Sequence, residues 1–185
     1  MDNSSQEHIH HVAALLQQFF DPVYPTQYKK GIEAQLLAIR NGPNVWSTCY
    51  QLLTASPDPY VQWFGAASLE TAILRGWQQL PEPQRDDMRS SLLDLFMNRS
   101  GTMSQFVVTK IAKLLVDIGK FDWPHHFPEL LPCVQGSVQQ GTSTNSGLLL
   151  LRTMLEEFSD SGGDMLTGRA DLLRVSLLQV ISTIR

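Results

Sequence analysis

Helix-breaking clusters recur along this chain at a spacing that leaves only helix-length runs between them. Asp21-Pro22, Asn41-Gly42-Pro43, Ser56-Pro57-Asp58-Pro59, Leu80-Pro81, Ser100-Gly101, Trp123-Pro124 and Ser161-Gly162-Gly163 punctuate it. Proline breaks helix interiors, and glycine or Asx residues favour turns. Between the breaks, apolar residues return at three- and four-residue intervals, the period of an amphipathic helix, and no strand-like alternation competes. Turns within a pair alternate with turns between pairs. The second helix of each pair begins near Thr26, Pro59, Met103 and Ser146, a period of about 35 to 45 residues, which is that of HEAT and armadillo repeats. The expected fold is all-α: an α-solenoid, or superhelix, of antiparallel helix pairs. The pairs span about 5–40, 43–79, 84–119 and 124–159, with the first helix of a fifth at 166–185, in one segment 1–185.

The stretch from Asp58 to Trp77 organises the rest. Asp58 suits an N-cap and Pro59 the first helical position, where its missing N–H costs nothing. Ala66, Leu69, Ile73 and Trp77 share one face, flanked by Val61 and Ala72. Phe64, Ser68, Thr71 and Arg75 form a separate, mostly polar strip left for a partner. Gly65 costs about 1 kcal/mol against alanine in mid-helix, and its presence predicts the close approach of another backbone.

The remaining helices are expected at Ser5–Phe20, Thr26–Arg40, Asn44–Ala55, Gln84–Arg99 and Thr102–Gly119, with Gly119 as a C-terminal cap. Trp123-Pro124 is expected to open a helix reaching about Gln140, followed by Gly147–Ser159 and Leu166–Arg185.

Hydrophobic residues make up 43% of the 185, enough for a core. A net charge of −4 argues against nucleic acid, whose phosphates call for clustered Lys and Arg. Cys49 and Cys133 stand far apart with no CxxC pair, so neither a disulfide framework nor a zinc site is expected and a reducing compartment follows. The start, MDNSSQEHIHH, lacks a signal-peptide pattern. The longest purely apolar run, Leu148 to Leu151, is too short for a membrane span. Together with Leu155 and Phe158 it reads as core. The nucleus and cytoplasm are the expected locations.

No enzyme chemistry is expected. His8, His10 and His11 lie in a first helical turn without the converging ligands that zinc needs, and read as surface histidines. His125-His126 reads as a packing feature at a helix start. Glu156-Glu157 sit about 100° apart on a helix, so they do not face one substrate together. No nucleotide-binding loop is present and no cofactor is implied. What remains is surface: the polar strip above, then Lys110, Lys113 and Asp117, then Arg152, Thr153, Glu156 and Glu157, one concave wall of mixed charge suited to a protein partner.

Certain stretches add a resemblance. Phe64, Gly65, Ala66, Leu69, Ile73 and Trp77 reproduce the aromatic, small, leucine, β-branched and tryptophan order of an inner helix near the start of the importin-β (karyopherin) superfamily. Asp122-Trp123-Pro124, preceded by Val116-Asp117-Ile118-Gly119, resembles the exportin branch. Gly147-Leu148, Leu151-Arg152-Thr153 and Glu156-Glu157 resemble the exportins that carry profilin–actin. The likeness covers nearly the whole chain. It implies that inner helices bind Ran in its GTP form, cooperatively with cargo. Phe64, Glu70, Trp77, Glu156 and Glu157 match by type, Trp77 as packing. Ser68, Thr71, Arg75, Lys110, Lys113, Asp117 and Arg152 are added from their places on the helices. Cargo and nucleoporin contacts would belong to the full-length receptor. Members are several times longer, and no C-cap precedes Arg185, so the chain reads as a fragment of such a receptor or a short product. A scaffold joining proteins without Ran is the alternative.

Overall fold

The computed structural model describes residues 3–139, 144–159, 171–172, 175–178 and 182, and among them it is all-helical, with no strand. Consecutive helices pack in pairs, the HEAT-like arrangement that the spacing of the breaks predicts. The chain divides into two compact units, Met1–Arg75 and Gly76–Arg185.

In the first unit, α1 (Asn3–Phe20) packs on α2 (Thr26–Arg40), followed by α3 (Val45–Ala55) and α4 (Pro59–Gly76). Its core draws Ile9, Val12, Leu15 and Leu16 from α1, Ile32 and Leu36 from α2, Leu52 from α3 and Val61 from α4. Each such side chain contributes about 1.5–3 kcal/mol when fully removed from water. Asp58 caps α4 as expected, accepting the Tyr60 N–H at 2.8 Å. Gly65 is where helices α3 and α4 nearly touch: a Cβ there would lie 2.6 Å from the Cys49 carbonyl oxygen and 2.9 Å from the Leu53 nitrogen. Ala66, Leu69 and Ile73 are fully buried.

The second unit holds α5 (Glu82–Arg99), α6 (Gln105–Asp122), α7 (Leu130–Gln139) and α8 (Thr144–Ser159), with single 3-10 turns at Trp77–Gln79 and Ser100–Thr102. Helix α6 packs against both α5 and α8. It is accordingly apolar over most of its surface, with Val107, Val108, Ile111, Leu114, Leu115 and Ile118 all buried.

Four expectations need correction here. Gly119 does not cap α6, which continues to Asp122; it is small because a Cβ would meet Leu130 Cδ2 at 2.8 Å. Trp123-Pro124 does not open a helix. Residues 123–129 form a turn and α7 starts at Leu130, because Pro128 disfavours helical geometry at Phe127. His125 and His126 are exposed instead of packed. Of the apolar run on α8, Leu150, Leu151 and Phe158 are buried while Leu148 and Leu155 stand in solvent. The predicted helix Leu166–Arg185 lies mostly outside the described residues; those described are helical.

Candidate functional site

Within the first unit, α4 does not present the strip expected from its polar letters. Ser68 is buried, and Phe64 is half-buried against the core. Thr71 Oγ1 accepts a hydrogen bond from Arg40 Nη2 at 2.6 Å, and the same guanidinium reaches the Ala67 carbonyl at 3.2 Å. Arg75 is exposed and extends toward Asn41 Oδ1 at 3.4 Å. Glu70 is half-buried. The physical reason is that the unit's helices cover more of α4 than a two-sided helix wheel assumes, and a serine is small enough to be covered with it.

The exposed side of α4 is instead largely apolar. Tyr60 is 61% exposed, Trp63 42% and Leu74 57%. Trp63, Glu70 and Leu74 recur at seven- and four-residue steps, which keeps them on one stripe. Phe20, at the end of α1, stands with its ring 6.2 Å from that of Tyr60. An open hollow of about 870 Å³ lies beside them, lined by His10, Ala13, Gln17, Phe20, Asp58 and Tyr60 among others. Sequence reading missed this stripe because an exposed tryptophan and a core tryptophan are the same letter at the same period.

In the second unit, the expected residues of α6 and α8 come together as a charged cluster. Lys113 Nζ lies 2.7 Å from Glu157 Oε1 and 3.5 Å from Asp117 Oδ1. Lys120 Nζ, a residue the sequence reading did not include, lies 2.5 Å from Glu157 Oε2 and 3.2 Å from Asp117 Oδ1. The three- and four-residue spacings of 113, 117 and 120 carried the signal that could have found it. Lys110 is half-buried one turn earlier, and Thr153 is buried with its hydroxyl on the Leu149 carbonyl. Arg152 and Glu156 pair with each other at 2.7 Å on the exposed side of α8. Glu156 and Glu157 therefore point to different partners, as expected.

Burial acts differently on the two central carboxylates. Asp117, 1% exposed, has its pKa pushed above the ordinary value by burial, which outweighs Lys113 and Lys120 beside it. Burial also opposes ionisation of Glu157, but there the hydrogen bonds from Lys113 and Lys120 prevail and lower its pKa.

A second polar network surrounds Asp122. Trp77 Nε1 donates to its Oδ2 at 2.9 Å, Arg89 Nη1 to the same oxygen at 2.5 Å, and Arg85 Nη1 to Oδ1 at 3.3 Å. Glu82 pairs with Arg85 and Arg89, and His126 Nδ1 lies 3.4 Å away from it. Arg89 is buried, and although burial alone would lower its pKa, Glu82, Asp122 and Asp86 raise it. Trp77 is thus core, and its one polar atom is satisfied. Nothing here resembles a reactive centre. The Cys49 thiol is buried and pushed up to about 11, and among the described residues no cluster of His, Cys, Asp and Glu could hold a metal ion.

Comparison with known proteins adds likenesses. Residues 32–98 match the model of the importin-beta N-terminal domain, and residues 104–184 match that of exportin 1-like proteins. The chain is 26% identical over 181 residues to Exportin-6-B of Xenopus laevis and to Exportin-6 of Homo sapiens, an alignment covering 98% of this chain and 16% of each relative. Against Exportin-1 of Schizosaccharomyces pombe the identity is 30% over 131 residues, 68% of this chain and 12% of that protein. The chain therefore spans about a sixth of the length of the exportin-6 relatives it matches.

Proposed function

Because this chain resembles the N-terminal region of the importin-β superfamily's exportins over nearly its whole length, we propose that it is the N-terminal segment of a nuclear export receptor. In this reading its inner helices bind Ran in the GTP form. The single observation that supports it best is the succession of the two family matches along residues 32–184 of one helical-pair chain. Contact would fall to Phe64, Glu70, Thr71 and Arg75 in the first unit and to Lys110, Lys113, Arg152, Glu156 and Glu157 in the second. Of the two buried residues, Asp117 would act from beneath through Lys113 and Lys120, and Ser68 would make no contact. The receptor would shuttle between nucleus and cytoplasm, with protein cargo such as profilin–actin and nucleoporins engaged by the full-length protein.

The test is binding to Ran loaded with a non-hydrolysable GTP analogue or with GDP, measured by titration calorimetry. Preference for the GTP form by about tenfold or more, which is 1.4 kcal/mol, is the expected result. Equal binding of both forms overturns the reading. The exposed side chains of Phe20, Tyr60 and Trp63 favour the second reading, a helical scaffold that joins proteins without Ran. A pull-down from nuclear extract whose bound set is unchanged by GTP-locked Ran would select it.

A further inference from the structure

We infer that Glu157 is the exchangeable carboxylate of the cluster on α6 and α8, given up to a basic side chain of the bound protein, while Asp117 keeps Lys113 and Lys120 paired. The inference rests on the reading that these two helices face a protein partner. It starts from an asymmetry. Each ammonium group stands between two carboxylates, with its short contact to Glu157, at 2.7 and 2.5 Å, and its long one to Asp117, at 3.5 and 3.2 Å. The short contacts reach across to α8. The long ones stay within α6, which carries both lysines and Asp117.

The two carboxylates also differ in reach. The Glu157 side chain is 27% exposed and that of Asp117 only 1%. Moreover, Asp117 Oδ2 is buried and has no hydrogen-bond partner among the described residues. An ionised carboxylate has about four acceptor positions, so the buried one holds fewer N–H groups than it could. It is a reserve. Were Glu157 drawn away, the lysines could close onto Asp117 and no buried charge would be stranded, which is the usual penalty for taking one member from such a pair.

The same geometry selects the partner's chemistry. Both Glu157 oxygens already face ammonium groups, so what replaces these must itself be a cation. A guanidinium, able to span both oxygens, fits best. An acidic partner group would instead compete for the lysines and leave two carboxylates facing each other, which costs binding energy.

Two variants of the whole chain test the exchange, with Ran carrying the GTP analogue as the probe. Glu157→Gln should weaken binding about tenfold, the loss of one charge pair. Asp117→Asn should also weaken it, by about threefold, because the lysines then lose the Asp117 charge and hold Glu157 harder. Its urea midpoint should stay level or rise. Lost affinity without lost stability is the result that a merely structural role does not produce. Unchanged affinity in Asp117→Asn, or a loss matched by lost stability, overturns the inference. Should the wild-type chain ignore Ran altogether, the functional reading fails, and the exchange is then judged on the free protein by carbon-detected NMR of Glu157. Its carboxyl should titrate lower in Asp117→Asn than in wild type, since Lys113 and Lys120 no longer divide their charge. An unshifted titration overturns it.

Discussion

The Trp77 indole nitrogen donates to Asp122 Oδ2 at 2.9 Å, and Arg89 donates to the same oxygen from the other helix of the pair. One buried carboxylate thus joins the turn after α4, the body of α5 and the end of α6. Its removal leaves Arg89 buried with only Glu82 and Asp86 at its far nitrogen. Asp122→Ala should therefore destabilise the second unit by about 3 kcal/mol, the low end for stranding one member of a buried pair. Urea unfolding followed by tryptophan fluorescence measures it. A loss near zero would mean that the network contributes nothing net.

Gly65 and Gly31 make opposite predictions for the same substitution. Alanine favours a helix over glycine by about 1 kcal/mol. At Gly65 the added Cβ would stand 2.6 Å from a backbone oxygen, and backbone cannot step aside cheaply, so overpacking wins and Gly65→Ala should cost about 1–3 kcal/mol net. At Gly31, on α2, nothing lies within 4 Å of the new carbon. Gly31→Ala should stabilise by about 0.4–1 kcal/mol. Thermal melts of the two variants side by side check both signs.

These two glycines show what the sequence made legible. The contact at Gly65 was readable because a helix interior otherwise disfavours glycine, so its presence demands a neighbour. Helix ends set by proline, at Pro22, Pro43 and Pro59, were readable for the same reason: the ring forbids the alternative. Gly119 was misread because a glycine near a helix end satisfies both a cap and a close approach, and only Leu130, eleven residues on, decides between them. The charged cluster was half readable. The spacing of Lys113 and Asp117 is local, whereas the pairing of Lys120 with Glu157 depends on how α8 lies against α6. The exposed Trp63 and Leu74 gave no sign, because burial is a property of neighbours and not of letters.

Asp117 and Glu157 should bend the pH dependence of stability in opposite directions. Glu157 has a lowered pKa in the fold, so its contribution is complete above its ordinary value of 4.5 and is lost as pH falls through the folded value. Asp117 has a raised one. The folded state then binds its proton more tightly than the unfolded chain does. Stability falls as pH rises from 3.8 through the folded value. Asp117→Asn should consequently gain on wild type as pH rises from about 3.5 to about 7, and Glu157→Gln should draw level with wild type as pH drops. Urea midpoints across that range give both differences.

Trp63 separates folding from recognition. It is 42% exposed on α4, so Trp63→Ala should cost less stability than the about 3–5 kcal/mol of truncating a fully buried tryptophan. If the stripe with Leu74 meets a protein, an aromatic anchor there is worth about 2 kcal/mol or more of affinity. Ser68→Ala is the control. Its side chain lies out of a partner's reach, and affinity should stay at the wild-type level. Calorimetry with GTP-form Ran, and with any protein captured from nuclear extract, reads both variants.

Lys110 and Lys113 were equivalent on the helix wheel and are not equivalent in the fold. Lys113→Glu would set a carboxylate where an ammonium group now holds Glu157 at 2.7 Å. Three acidic groups would then crowd around Lys120, so that variant should lose stability as well as affinity. Lys110 stands half-buried one turn before Lys113 on α6. Lys110→Glu should weaken a partner bound on α6 by about 1–3 kcal/mol, and its urea midpoint, measured beside the affinity, separates that loss from any loss of stability. The weakening should shrink in high salt, since a charge at the rim of an interface acts through a screened field. Affinity that survives reversal of Lys110 at low salt would place the partner on another face, whatever Lys113→Glu does.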